Sequence, residues 1–366
     1  MAMATDDVVR RRLRNQHLVG ASFETPDAAV KWLGAVQSQD YGGAKWALGQ
    51  RVKHSTSAEI DKLFNAGQIL RTHVMRPTWH FVSPSDIRWL LELTAPRVHA
   101  ANSYYYRKFE LDEDVLRETE LLLAEELQGG RQLTRNEVAQ TLQAAGITAS
   151  GLRLGYILMN AELNAVICSG ALNGKQHTHA LLDERVPQVK PVRRGVALGE
   201  LAERYFTSHG YAQLQDFVWW SGLTVTDAKS AIAHAGAKLV QYEEDGKVYW
   251  SGDAHAFKGP ESHVHLLPNY DEYLIAYKDR SAYTTVFSTT PPAGMFDGHI
   301  LVVNGKVCGA WRVTSKRSTA TVTVAPLVDL GKAESKALRE AVDRYGHFLG
   351  TSVELVIGEA RDFLKR

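Results

Sequence analysis

The sequence predicts an α+β fold of tandem winged-helix units followed by a β-rich C-terminal segment. A pattern of helix, short turn, second helix and two-stranded hairpin recurs about three times along the 366 residues. Two hairpins turn on residue pairs that tolerate positive φ, Asp245-Gly246 and Asn304-Gly305. Beyond about residue 256, helical periodicity gives way to alternating runs such as "TATVTVAPL". The expected divisions are 1–100, 101–190, 195–255 and 256–366, with Pro187 to Gly195 as the linker, rich in Pro, Lys and Arg.

In the clearest unit, Thr134 and Glu137 of "LTRNEV" form a capping box in which each side chain satisfies a free backbone N–H. Gly146 stops that helix. "SGLRLGYILMNAELNAV" predicts a second helix, with Leu152, Ile157, Leu158 and Leu163 near helical spacing. "VICSGALNGKQHTHALL" then predicts two short strands around a tip bearing Gly and Lys. A later unit runs from "LGELAERYFTSHG" through "LQDFVWWSGLTVTDAKSAIAHAG" to the hairpin "KLVQYEEDGKVYW". An earlier, less regular one spans Thr25 to Val82, with "SAEIDKLFNAG" as a helix and "ILRTHVMRPTWHFV" as two strand-like runs broken at Pro77. Ser83 and Asp86 are expected to cap "PSDIRWLLELTA", with Pro84 at its first position. The last stretch reads as a hairpin, "HILVVNGKVCGAWRV", a strand, the helix "KAESKALREAVDRYGHFLG" and the strand "SVELVIG".

Charge narrows the function classes. With 42 basic and 41 acidic residues there is no global attraction to nucleic acid. The balance is uneven, because Gly129 to Arg194 holds eight Lys/Arg against four Asp/Glu. Cys168 and Cys308 lie far apart in apolar contexts and read as buried thiols of a reducing compartment. The basic start "RRRLRNQHL" lacks the apolar core of a secretory signal, and no run approaches about 18 apolar residues. A cytoplasmic protein without a membrane partner is expected.

Several common chemistries leave no trace: there is no P-loop, GxGxxG, HExxH, CxxC or GxSxG. His263 and His265 share one strand face, a metal pair without an indicated third ligand and equally a surface pair. Asp271-Glu272 can offer only one carboxylate to a site, since adjacent side chains diverge; Asp271 also suits a turn or a pairing with Arg280. "RTHVMRPTWHFV" gathers Arg71, His73, Arg76, Trp79 and His80, either as core and hydrogen-bonded residues or as a cleft facing phosphate or base. The run Arg10 to Arg14 is a solvated helix face or a phosphate contact. Winged helices bind DNA through the second helix and the wing. Arg153, Lys175, Arg193 and Arg194 are then candidate phosphate contacts, which position a protein without reading sequence. Few Arg, Asn or Gln residues suit base edges, so a sequence-tolerant binder fits better than an operator-reading repressor.

The ordered motifs "VQSQD…AKWALGQR", "RTHVMRPTWHFVSPSDIRWLLELTAPR", "LTRNEV", "AEL…ICSG", "DFVWWSGLT" and "LLPNYDEYLIAYKDR" resemble the AlkZ/YcaQ superfamily of winged-helix DNA glycosylases. The likeness runs from about Arg10 to Gly358. It implies a C-shaped arrangement around a DNA channel and removal of alkylated bases from double-stranded DNA. It further implies unhooking of interstrand crosslinks in some members, in repair or genotoxin self-resistance. The family's catalytic element, Gln-x-Gln in the AlkZ-like branch and Gln-x-Asp in the other, maps onto Gln37, Ser38 and Gln39. Asp40 follows directly, so a one-residue shift in geometry would present a carboxylate instead. The resemblance implies a monofunctional, cofactor-free hydrolase acting as a monomer in a bacterial cytoplasm, nucleoid-associated when bound to DNA. Trp46, Arg51, His73, Arg76 and His80 become candidates for the channel wall. Without catalysis, the same units would make a DNA-binding or regulatory protein, or a module for protein partners.

Overall fold

A computed structural model describes residues 5–20, 22–244, 246–252, 262–284, 298–315 and 319–359. The chain is α+β, and no helix among the described residues is long and apolar enough to cross a membrane. Helices α1 (Thr5–Asn15) and α2 (Pro26–Leu33) lead to the short strand β1 (Val36–Gln37), then to α3 (Tyr41–Gly49) and α4 (Ser57–Asn65). The hairpin β2 (Leu70–Val74) and β3 (Arg76–Val82) completes a three-stranded sheet in the order β1-β3-β2. The hairpin reverses at Met75, whose φ is 62°, and not at Pro77. Pro77 lies inside β3, beside a register shift and beyond the pairing with β1, where its missing N–H interrupts no ladder.

The next helix also departs from expectation. α5 (Ile87–Lys108) starts after a turn, and Asp86 makes no side-chain cap to it. The Asp86 carboxylate instead accepts Trp89 Nε1 at 3.1 Å and pairs with Arg204 at 2.5 Å.

The second helix–helix–hairpin group comprises α6 (Glu113–Glu126), β4 (Leu133–Thr134), α7 (Arg135–Ala144), α8 (Gly151–Leu163), β5 (Ile167–Ser169) and β6 (Thr178–Leu181). Its sheet order is β4-β6-β5, and the Thr134–Glu137 capping box forms as expected. Leu123, Val138, Leu142, Leu154, Ile157 and Leu158 fill its core. Leu152 does not join them; it is 68% exposed, because the buried stripe of α8 starts at Leu154.

A third group follows α9 (Leu182–Arg185), with α10 (Arg194–Ser208), α11 (Leu214–Ser221), α12 (Val225–Ala235) and the hairpin β7 (Val240–Glu244) and β8 (Lys247–Ser251). Asp245 of its expected turn lies outside the described residues. Gly222 ends α11 with φ +70°, and a Cβ there would meet Met75 O at 2.2 Å. Only glycine allows this helix end to approach the β2–β3 turn so closely.

The remaining chain forms β9 (Val264–Leu267), α13 (Glu272–Ile275), β10 (Ile300–Val303), β11 (Lys306–Ser315), β12 (Thr319–Pro326), α14 (Lys332–Leu349) and β13 (Ser352–Ile357). Its sheet order is β13-β12-β11-β10-β9, with β13 parallel to β12. Asn304 and Gly305 turn β10 into β11 at φ 51° and 81°. This sheet shares its cores with the other groups. Trp46 of α3 packs on Tyr345 and Phe348 of α14, while Leu267, Tyr273 and Ile300 join Leu198, Leu201 and Trp220 in the largest core. That shared packing carries α13 beneath β1.

Candidate active site

Gln37 closes β1 opposite His80 of β3. The ladder continues one residue further, since Ser38 N–H donates to Trp79 O at 2.7 Å. Alternation along this extended segment puts Gln37 and Gln39 on one side of it. Gln37 is 9% exposed, whereas Gln39 lies in the open. Asp40 turns the chain into α3 as its N-cap, its carboxylate accepting Gly43 N–H at 3.1 Å. That carboxylate is committed to the helix start, so the shift that would present it in place of Gln39 has not occurred.

Both glutamines are held through their carbonyl oxygens. Arg76 Nη2 donates to Gln37 Oε1 at 3.1 Å, and the Trp79 backbone N–H points at Gln39 Oε1 at 3.4 Å. The guanidinium is a pure donor, which fixes the oxygen end of the Gln37 amide toward it. A carbonyl oxygen carries two lone pairs, so each amide keeps one for another donor.

Behind Gln37 lies Glu272, fully buried on α13. Its Oε1 accepts the Gln37 backbone N–H and its Oε2 the Trp220 indole N–H, both at 2.9 Å. Burial works against the charged form, but His209 at 3.6 Å, the Gln37 N–H and Arg76 outweigh it and hold the carboxyl below the usual range. Burial pulls the Arg76 guanidinium down, and Glu272 pulls it back up. His80 is buried, and that burial, with the Arg76 charge, pushes its imidazole down to about 3. It is neutral at physiological pH, donating from Nδ1 to Thr78 O at 2.9 Å while Nε2 faces Arg76 Nη2 at 3.4 Å. A half-buried cation, Arg76, a buried anion, Glu272, and a neutral histidine, His80, thus surround a fixed amide.

The other candidates separate by burial. Trp46 and Arg51 do not line a channel. Trp46 is 2% exposed, with its indole N–H donating to Leu266 O. Arg51 is fully buried, and all five of its N–H groups are used on Gln16, Ala47 O and both oxygens of Asp271. Asp271 thus pairs with Arg51 and caps α13, not with Arg280. Arg12 of the basic N-terminal run is likewise buried, on Tyr211 O and the Tyr283 hydroxyl. His73 packs against Trp79, the ring centres 4.4 Å apart and the planes tilted by 40°, and binds Glu162 through its ring at 2.5 Å and its backbone N–H at 2.9 Å.

Arg153 is half-buried and donates to the carbonyls of Phe109, Glu110 and Thr148, tying the ends of neighbouring segments together. Lys175 stands exposed at the β5–β6 tip. Arg193 and Arg194 are exposed at the start of α10, Arg194 paired with Asp227 at 3.0 Å. No hydrogen bond among the described residues ties either of them to the glutamine strand. His263 and His265 lie 5.7 Å apart, and the described residues hold no group of three metal-ligating side chains.

Sequence reasoning missed the part played by Glu272, although it marked the residue as half of a carboxylate pair. Its signal was weak because the partners, Gln37 and Trp220, are 235 and 52 residues away. Arg71 was noted only as part of a cluster. It braces the segment between the glutamines, with Nε and Nη2 both donating to Ser38 O at 3.1 Å and its guanidinium 4.3 Å over the Trp79 ring.

A family model described as DNA glycosylase AlkZ-like matches residues 30–348. Among solved structures, the chain is similar to Streptomyces sahachiroi DNA glycosylase AlkZ, with a TM-score of 0.79 and 20% identity, covering 98% of this chain and 100% of that one. At that identity the likeness speaks to the fold. No curated protein sequence matches.

Proposed function

The chain belongs to the AlkZ-like DNA glycosylase family, and from that premise we propose that it hydrolyses the N-glycosidic bond of cationic N7-alkylated purines in double-stranded DNA, with Gln37 and Gln39 as the catalytic pair. A purine alkylated at N7 already carries positive charge and leaves without strong acid catalysis. The protein's task is then to hold a water beneath C1′ and to stabilise the oxocarbenium-like sugar. The free lone pairs of the two carboxamides accept the water's hydrogens and turn negative dipole ends toward the developing cation.

The observation that carries this reading is the bracing of Gln37 between Arg76 on its side chain and Glu272 on its backbone. A guanidinium alone would oppose a nascent sugar cation. The buried Glu272 charge offsets it, while neutral His80 adds nothing to it. What remains is an oriented amide in a site of nearly balanced charge, suited to a lesion that brings its own activation. An N7-linked interstrand crosslink presents the same leaving group and falls within the proposed substrate class. Water as nucleophile makes the enzyme monofunctional, and the monomer suffices because both glutamines come from one strand segment.

The test is a single-turnover assay on a duplex with one N7-methylguanine. The intact protein should release the base and leave an abasic strand that breaks only on alkaline treatment. Gln37→Ala and Gln39→Ala should each lower the rate by about 10²–10³-fold, the scale for one preorganised transition-state contact, with duplex affinity retained. Duplex binding without base release from the intact protein would reduce it to a winged-helix binder.

A further inference from the structure

On the face of the first sheet that carries Arg71 and Trp79, across the strand from Gln37, a cavity of about 340 Å³ opens toward the wing of the second group. Arg71, Trp79, Arg135, Lys175, His177 and His179 are among the residues that line it. Two of its lining residues are bonded to the glutamine segment: Arg71 donates to Ser38 O, and the Trp79 N–H points at Gln39 Oε1. Three cations thus line a hollow, and one of them, Arg71, is bonded to the carbonyl of the residue that precedes Gln39.

We propose that this cavity seats a backbone phosphodiester of the bound strand, next to the nucleotide being processed. The inference rests on the glycosylase reading and adds to it a phosphate site and its ligands. Four observations support a phosphate oxyanion as the occupant. Arg71 uses only Nε and one Nη2 hydrogen on Ser38 O, so its remaining N–H groups are available. Lys175 and Arg135 are exposed at the mouth, and Arg135 spends only Nη2 on Gly151 O. The Nδ1 atoms of His177 and His179 are buried without a hydrogen bond among the described residues, although His179 Nδ1 stands 3.7 Å from Glu162 Oε1. The one carboxylate in the wall, Glu162, is already bound by His73 and offers little repulsion. A stacked base is a poorer occupant, since Arg71 and His73 already lie against the Trp79 ring.

The experiment is a methylphosphonate scan across the phosphates flanking an N7-methylguanine, read as duplex affinity. It compares the intact protein with the Lys175→Ala/Arg135→Ala double variant, both substitutions being at exposed positions. One neutralised phosphate should weaken the intact protein severalfold and leave the double variant unaffected. The variant's dependence of log K on log salt should be shallower by about 0.9, the value of one phosphate contact. Equal sensitivity of the two proteins at every position would overturn the proposal. So would inorganic phosphate at millimolar concentration competing with duplex equally well in both, because the cavity would then not be where phosphate binds. Base release measured in parallel separates the two claims: release with no variant-specific phosphate effect sinks only the phosphate site, whereas no release sinks the glycosylase reading.

Discussion

At the scale of single residues, the arrangement around Gln37 converts charge into orientation. Glu272 is the clearest probe of it. Glu272→Gln keeps the shape but turns an N–H₂ toward either the Gln37 N–H or the Trp220 indole, and leaves Arg76 unbalanced. We expect base release to fall by at least about tenfold with duplex affinity unchanged, and stability to fall by about 1–3 kcal/mol, the cost of a mismatched buried polar contact. An unchanged single-turnover rate would show that Glu272 only supports the fold. His80 makes a prediction about pH. Its folded value, about 3, lies below its unfolded value of 6.5, so the unfolded chain binds the proton more readily. The associated stability is complete above pH 6.5 and is lost progressively as pH falls from there toward 3. At pH 5 this one residue should cost about 2 kcal/mol. Urea melts at pH 7 and pH 5 should differ by at least that much, and His80→Gln should remove part of the difference.

At the scale of elements, burial decides what an arginine is for. Arg51 and Asp271 tie α3 to α13, the element that carries Glu272 to the glutamine strand. Removing one member of such a buried pair leaves an uncompensated charge, so Arg51→Ala should cost about 3–5 kcal/mol in denaturant unfolding. The salt dependence of DNA binding by the folded fraction should stay the same; a shallower slope would return Arg51 to the channel wall. Arg153, half-buried against three carbonyls, and Lys175, exposed at a hairpin tip, stand between that case and open surface. Local signals placed the elements themselves well. The Thr134–Glu137 box, the Asn304-Gly305 turn and the final helix formed as read, because each depends on neighbours within a few residues. Where a non-local partner competed, the reading slipped. Asp86 left its cap for Arg204 and Trp89, and the hairpin break moved from Pro77 to Met75, against which Gly222 packs.

At the scale of the whole molecule, the C-terminal sheet is built into the cores of the units that precede it, so the site is assembled from the first, third and last parts of the chain. The two cysteines report on that packing. Cys168 and Cys308 are buried, and burial raises their thiols to about 12 and about 11. In the native protein both should resist a thiol-reactive chromophore at pH 8 and react fully in denaturant; rapid native labelling of either would show that its core opens. The charge balance is consistent with a protein that meets DNA through local groups and not through its overall field.

The amino-acid sequence by itself determined the α+β class and the succession of helices and hairpins, since caps and turns are written in adjacent residues; Gln37 and Gln39 were pointed to by the family resemblance that its ordered motifs carry. Tertiary structure alone decided that Glu272 stands behind Gln37, that Arg76 reaches its amide, and that Trp46 and Arg51 serve the fold. The physical reason is that desolvation and ion pairing depend on which distant segments come to lie against one another, and single-chain patterning does not encode that distance.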